Sequence, residues 1–182
     1  MSDKGSVFRL SSEDWGDFSY QLSKETDLGA ALASAAFLDD LLAALIEAFL
    51  VDDRGILRKL LTGPTAPLGT LNARILASYS IGLISQDESH DLAIVREVRN
   101  QFAHLPRTIS FDTPSIAKAI AKLTIPHLVP NEAFDTSKLS NRQLFINATS
   151  MIATFLDKRR RVIRDRRVSA PKFYIELTDK PA

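Results

Sequence analysis

The stretch from Leu28 to Val51 constrains the fold more than any other part of this sequence. Its apolar residues recur at helical spacing, and one stripe is formed by Phe37, Leu41, Leu45 and Ala48. Acidic residues at positions 39, 40 and 47 interrupt the stretch. So wide an apolar stripe predicts a central, heavily buried helix, and the interrupting charges argue against a membrane span.

Helical periodicity also dominates the rest of the chain, and the alternation typical of strands is almost absent. Helices are predicted to begin near Ser12, Asp27, Thr70, Ser85, Thr113 and Ser140. Two of these starts are capping-box patterns, Ser85 with Glu88 and Ser140 with Gln143. The expected fold class is all-α, a bundle of five or six helices with an extended C-terminal segment.

The predicted third helix runs from Thr70 to Ile84 and includes Gly82. It is expected to bury Leu71, Ile75, Tyr79 and Leu83. Residues 125–130, "IPHLVP", are predicted to be an extended connector because two prolines disfavour a helix. Residues 173–177, "FYIEL", are predicted to form a short strand or an arm.

A chain of 182 residues favours one domain. We expect a single helical domain over 1–168, whose basic last helix runs from about 140 to 168, followed by a tail at 169–182.

There is no cysteine, which excludes disulfides and thiol catalysis, and the N-terminus lacks the apolar region of a secretory signal. The expected location is the cytoplasm.

Basic residues are concentrated near the C-terminal end. The segment 157–172 contains eight basic and two acidic residues, so it carries +6, while the whole chain carries +1 and the remainder therefore −5. This asymmetry indicates an anionic partner. The candidate nucleic-acid contacts are Arg159, Arg160, Arg161, Arg164, Arg166 and Arg167. The alternative is a solvated helix end, whose C-terminus favours cations.

The motif "RNQFAH", residues 99–104, carries the most specific chemistry. At about 100° per residue, Arg99, Asn100 and His104 lie on the polar half of the predicted fourth helix. An imidazole can transfer the 2′-OH proton of RNA, and a guanidinium can stabilise a phosphate in the transition state. The alternative is structural: Arg99 forms an ion pair with Asp39 or Asp40, and His104 caps the helix end.

Metal, cofactor and other catalytic signatures are missing from the sequence. His90 and His127 have no ligand spacing with His104, so no metal is expected. There is no phosphate-binding loop, dinucleotide fingerprint or serine nucleophile elbow, so no cofactor is expected either.

The motif from Arg99 to His104 resembles the Arg-x4-6-His motif of HEPN domains, small helical bundles that include metal-independent ribonucleases acting as dimers. In that resemblance, Arg99, Asn100 and His104 would be the catalytic residues. The resemblance also implies a homodimer that can bind RNA.

A longer resemblance spans roughly residues 30–120. The stretch "GPTAPLGTLNARILASYSIGLISQDESHDLAIVREVRNQFAH" is similar to the mannitol operon repressor (MltR) family. It contains the structural turn Pro67-Leu68-Gly69, a helix with Arg74, the segment "YSIGLIS", and a helix that ends in Arg-x4-His. The resemblance implies a helical regulator of polyol uptake genes.

Two functions therefore remain open from the sequence. The first is a non-enzymatic transcriptional regulator acting as a dimeric helical interaction module, with a regulatory protein partner. The second is a metal-independent endoribonuclease of the HEPN type. Direct binding to DNA is disfavoured because no helix-turn-helix is recognisable and the fourth helix begins with Asp87 and Glu88, which would repel phosphate.

Overall fold

A computed structural model describes residues 12–104, 109–128 and 136–164, and the side chains from residue 18 onward. No strand occurs in these ranges, which confirms the all-α prediction. The helices are α1 (Ser12–Lys24), α2 (Asp27–Phe49), α3 (Arg54–Leu61), α4 (Leu71–Ser80), α5 (Gln86–His104), α6 (Pro114–Ile120), α7 (Ile125–Leu128) and α8 (Asn141–Arg164), with a 3-10 turn at Thr136–Lys138.

Helix α2 is the centre of the bundle. It packs most extensively against α8 and also contacts α1, α4 and α5. Leu38, Leu42 and Leu45 are completely buried. With a mean hydropathy of 1.7 over its most apolar window, α2 is long and apolar enough to cross a membrane, but over half of that window is buried inside the protein. The core helix of a soluble bundle has these same properties.

Three phenylalanines continue the core between helices that are distant in sequence. The ring of Phe111 lies 5.1 Å from that of Phe102 and 5.1 Å from that of Phe145, measured between centroids. Phe102 belongs to α5 and Phe145 to α8. The loop residue Phe111 therefore joins these two helices. Aromatic pairs at this spacing stabilise the contact beyond the gain from burial alone.

The helix boundaries follow local hydrogen bonding. Both predicted capping boxes are confirmed: Ser85 N–H donates to Glu88 Oε2 at 2.7 Å, and Ser140 N–H donates to Gln143 Oε1 at 2.9 Å. The second helix is capped by Thr26, whose hydroxyl accepts from the amide of Gly29.

The end of α4 differs from the prediction. The helix ends at Ser80, and Gly82 lies beyond it with φ +74°. Leu83 N–H donates to Ser78 O at 2.7 Å and Gly82 N–H to Tyr79 O at 3.0 Å. These two bonds form a Schellman motif, which stops the helix at a glycine. The prediction that Tyr79 is buried is also wrong, since 46% of it is exposed.

Helices α3 and α7 were not predicted. The carboxylate of Asp53 accepts from the first amides of α3, those of Gly55 and Ile56. The prediction that residues 125–128 are extended is wrong. Pro126 occupies the second position of α7, where a missing N–H costs nothing.

A carboxylate from another helix holds the start of α7. Asp91 of α5 is completely buried and accepts from the amides of Thr124 and Ile125 at 2.9 and 2.8 Å. The Thr124 hydroxyl donates to the same carboxylate at 2.9 Å. No local pattern could predict this helix, because its cap lies more than thirty positions away in the sequence.

The beginning of α8 is fixed to the junction between α1 and α2. Arg142 forms an ion pair of 2.5 Å with Asp27 and donates to the carbonyls of Leu22, Ser23 and Glu25. Asp27 also accepts from the amide of Phe111 at 3.1 Å. The predictions for residues 165–182, which include the end of the basic helix, the tail and "FYIEL", lie outside the described residues.

Candidate functional site

Helix α5 presents Arg99, Asn100 and His104 on the surface opposite its buried face. Arg99 and His104 are exposed, and Asn100 is partly buried. Arg99 donates to Asn100 Oδ1 at 3.1 Å. Among the described residues no carboxylate forms an ion pair with Arg99. The predicted pairing of Arg99 with Asp39 or Asp40 is therefore wrong.

Two open clefts lie on either side of this surface. The first, the Arg99 cleft, has a volume of about 580 Å³. It is lined by Leu32, Ala35, Ala36, Asp39, Thr70, Leu71, Asn72, Arg96, Arg99 and Asn100. The second, the His104 cleft, has a volume of about 700 Å³. It is lined by His90, Ala93, Ile94, Arg96, Glu97, Asn100, Gln101, His104 and Lys122.

The clefts separate the two residues of the Arg-x4-His motif. Arg99 lines only the first and His104 only the second, whereas Arg96 and Asn100 line both. In the part of the chain that the structure describes, Arg99 and His104 therefore line neighbouring clefts rather than one. Arg99 of one protomer and His104 of another could together form a site for a reaction that uses both.

Helix packing and a buried arginine shape the wall of the Arg99 cleft. Arg74 is 8% exposed and lies 2.6 Å from Asp39 Oδ1. It also donates to the carbonyls of Leu68 at 2.9 Å, Leu61 at 3.0 Å and Asp39 at 3.2 Å. Arg74 thus joins α2, α3, α4 and the loop before α4, and it takes the ion-pair role that the sequence assigned to Arg99.

The turn Pro67-Leu68-Gly69 is held from two sides. Leu68 donates its N–H to Leu60 O at 2.8 Å and accepts from Arg74. A Cβ at Gly69 would lie 3.0 Å from the carbonyl oxygens of both Ala66 and Gly63, so the turn has no room for a side chain there. The only signal for the role of Arg74 in the sequence was its place shortly after this turn.

Two neighbouring carboxylates on α2 differ in their surroundings. Asp39 faces Arg74, whereas Asp40 has no ion pair among the described residues. Partial burial raises the pKa of Asp40 above its ordinary value, the adjacent Asp39 raises it further, and Arg74 opposes them. Neighbouring residues on a helix lie about 100° apart around its axis, and only Asp39 is paired with Arg74, so the two carboxylates are in different environments.

The basic helix α8 uses several of its arginines within the protein. Arg159 donates to both carboxylate oxygens of the buried Glu88 at 3.0 Å. Arg160 and Arg161 both contact the buried Asp157, at 2.9 and 2.6 Å. Of the other predicted nucleic-acid contacts, Arg164 is exposed at the end of α8, and Arg166 and Arg167 lie outside the described residues.

Metal chemistry has no candidate site in the described ranges. No group of three or more His, Cys, Asp or Glu side chains there could hold a metal ion. The His90 ring instead lies 3.1 Å from the buried Asp91.

The chain is similar in sequence and fold to known proteins of one kind. A family described as mannitol repressor matches residues 21–168. A solved structure, the X-ray structure of the MtlR-HPr complex from Escherichia coli, contains a chain with a TM-score of 0.56 and 17% identity. The alignment covers 84% of this chain and 99% of that chain, and at this identity it shows the shared fold. No curated protein matches the sequence.

Proposed function

Since the chain belongs to the mannitol repressor family, we propose that it is a non-enzymatic transcriptional regulator that acts by binding a protein partner. The family match over residues 21–168 carries this proposal because it includes almost the whole described bundle. The partner we propose is a protein of the HPr type, since a solved structure with this fold contains MtlR together with HPr. A regulator of this kind works in the cytoplasm.

The surface supports action through a protein rather than through DNA. On α4, Leu76 is 58% exposed and Tyr79 is 46% exposed, and a spacing of three residues places them on one helix face. Ile81, directly after the helix, is 44% exposed. Clustered exposed apolar residues mark a protein contact surface. The pairing of Arg159, Arg160 and Arg161 with carboxylates leaves them less available to phosphates.

Calorimetric titration of the full-length protein with purified HPr tests the proposal. We expect a stoichiometric complex, and we expect Tyr79→Ala to weaken it about tenfold, the loss of one aromatic anchor. Leu128→Ala is the matched control, because Leu128 is 59% exposed but belongs to α7, which packs against α8 and α5. The absence of any complex with HPr would contradict the partner that we propose.

The proposed regulator is a homodimer. The mass measured by light scattering after size exclusion should then be twice the 20.1 kDa of one chain. A mass of one chain at every concentration tested would exclude the dimer without affecting the test with HPr.

A HEPN-type ribonuclease is the second candidate, favoured by the exposure of both Arg99 and His104. Its test is incubation with mixed RNA in EDTA beside His104→Ala, a substitution at an exposed position. Cleavage that is lost in the variant would establish the enzyme. Because the two residues line different clefts of one chain, a ribonuclease would also require dimerisation, so activity should fall on dilution below the dimer dissociation constant.

A further inference from the structure

We propose that the Arg99 cleft binds the phosphoryl group of a small organic phosphate monoester. This site goes beyond the proposed contact with a protein partner, which uses the exposed face of α4. The cleft lies between α2, the start of α4 and the C-terminal half of α5. Its recognition chemistry comes from two arginines, one asparagine and the first turn of α4.

The cleft carries an excess of positive charge. Arg96 and Arg99 line it, and neither forms an ion pair within the described ranges. The one carboxylate in the lining, Asp39, is neutralised by Arg74 at 2.6 Å. Two guanidinium groups that face one cavity without carboxylate partners match the charge of a phosphate dianion.

The guanidinium groups are also available for hydrogen bonding. Arg96 Nε is buried and has no acceptor among the described residues, and an unmade hydrogen bond of this kind costs free energy. Arg99 donates one N–H to Asn100 Oδ1 at 3.1 Å, which orients its planar group beside the cleft. The same bond leaves the amide nitrogen of Asn100 without an acceptor among the described residues, so it can donate to a ligand.

The start of α4, which lines the same cleft, adds backbone donors. The first amides of a helix have no acceptor within the helix. The Thr70 hydroxyl accepts from Ala73 N–H at 3.2 Å and so satisfies one of them. Leu71 and Asn72, the first two residues of α4, line the cleft. No described residue accepts from their amides, which leaves these amides for a ligand oxygen. The N-terminal end of the helix dipole favours an anion at this position.

The size and the remaining lining favour a small molecule. A volume of about 580 Å³ lies in the usual range for small-ligand pockets. Leu32, Ala35 and Ala36 supply an apolar wall next to the charged groups. A phosphoryl group on the arginines would place a carbon skeleton against this wall, with Thr70 and Asn72 within the same cleft for its hydroxyl groups.

Calorimetric titration of the full-length protein in phosphate-free, low-salt buffer tests this site. Glucose 6-phosphate is the probe, glucose tests the need for the phosphoryl group, and inorganic phosphate tests the need for the organic part. The variants are Arg96→Gln and Arg99→Gln. Arg58→Gln is the matched control, because Arg58 is an exposed arginine of α3 that does not line the cleft.

The expected result is binding of glucose 6-phosphate but not of glucose, weakened about tenfold or more by either cleft variant and less than twofold by Arg58→Gln. Equal affinity in all variants would place the anion elsewhere and overturn the proposal, as would the absence of binding. Inorganic phosphate that binds as tightly as the ester would overturn the role of the apolar wall.

Titration with a single-stranded RNA 12-mer distinguishes a small phosphate ester from a polynucleotide as the ligand of the cleft. If RNA binds with dependence on Arg96 and Arg99 while glucose 6-phosphate does not bind, the ligand is a polynucleotide and the proposal fails. The titration with HPr is repeated on the same samples without any phosphate compound. Binding of HPr is measured independently of binding of glucose 6-phosphate. A failure of the proposed anion site is therefore distinguishable from a failure of the proposed protein partner.

Discussion

Arg74 connects several elements of the bundle through one buried side chain. Its guanidinium reaches three backbone carbonyls and a carboxylate that come from different parts of the chain. Each of these acceptors is partly or fully withdrawn from water, so water cannot fully replace the arginine. Arg99, 25 positions later in the sequence, has the same side chain but only a neighbouring asparagine as a partner.

Arg74→Ala is expected to lower the free energy of unfolding by about 3–5 kcal/mol, because the Asp39 charge loses its partner and three carbonyls lose a donor. Arg99→Ala is the matched control and should change it by less than about 0.5 kcal/mol. Urea denaturation followed by circular dichroism measures both. Equal effects of the two substitutions would contradict the distinction drawn between these arginines.

Asp40 provides a pH-dependent prediction. Its pKa is raised in the folded protein, above the ordinary value of 3.8, mainly by partial burial. The folded state therefore binds this proton more tightly than the unfolded state, so ionisation of Asp40 lowers stability as the pH rises above 3.8. We expect Asp40→Asn to be more stable than the wild type at pH 7, with the difference disappearing below pH 3.8. A destabilised variant at pH 7 would show that the carboxylate has a favourable partner.

At the scale of elements, most helix starts could be predicted because their signals are local. The capping boxes at Ser85 and Ser140 are complete within four residues of sequence. Helix α7 could not be predicted because its cap, Asp91, comes from another helix. The candidate site also contains a predictable and an unpredictable part. The motif residues of α5 could be predicted from their sequence pattern. The contacts of Arg74 and the His104 cleft could not, because they depend on packing between helices.

The end of α4 gives a test at this scale. Gly82→Ala should cost about 1–2 kcal/mol of stability, because alanine disfavours the left-handed backbone found at φ +74°. A Cβ there would meet no other atom within 4 Å, so the cost would come from the backbone alone. Gly82→Asn should recover part of the loss, since asparagine tolerates this conformation better. Thermal unfolding of the three proteins checks the order, and an alanine variant as stable as the wild type would contradict it.

At the scale of the whole molecule, α1, α4, α5 and α8 all pack against α2, so we expect the bundle to unfold as one cooperative unit. The long apolar pattern predicted the central position of α2, but the sequence contains no local signal for which helices surround it. Leu42, completely buried in α2, is the residue through which this cooperativity can be tested.

Leu42→Ala should lower the free energy of unfolding by about 2–5 kcal/mol. Leu28→Ala, on the same helix but at a position 46% exposed, should cost less than about 0.5 kcal/mol. In both variants the far-ultraviolet and near-ultraviolet circular dichroism should change together in denaturant. Separate transitions would show that part of the bundle unfolds on its own.

The dominance of the contact between α2 and α8 has a consequence for synthesis in the cell. The ribosome makes α8 after all the other helices described here. Until α8 has left the exit tunnel, the apolar face of α2 lacks its largest partner, and Arg142 cannot yet close the junction between the first two helices. Until then the nascent chain exposes the apolar face of α2 that α8 covers in the folded protein, and exposed apolar surface of this kind is what chaperones protect.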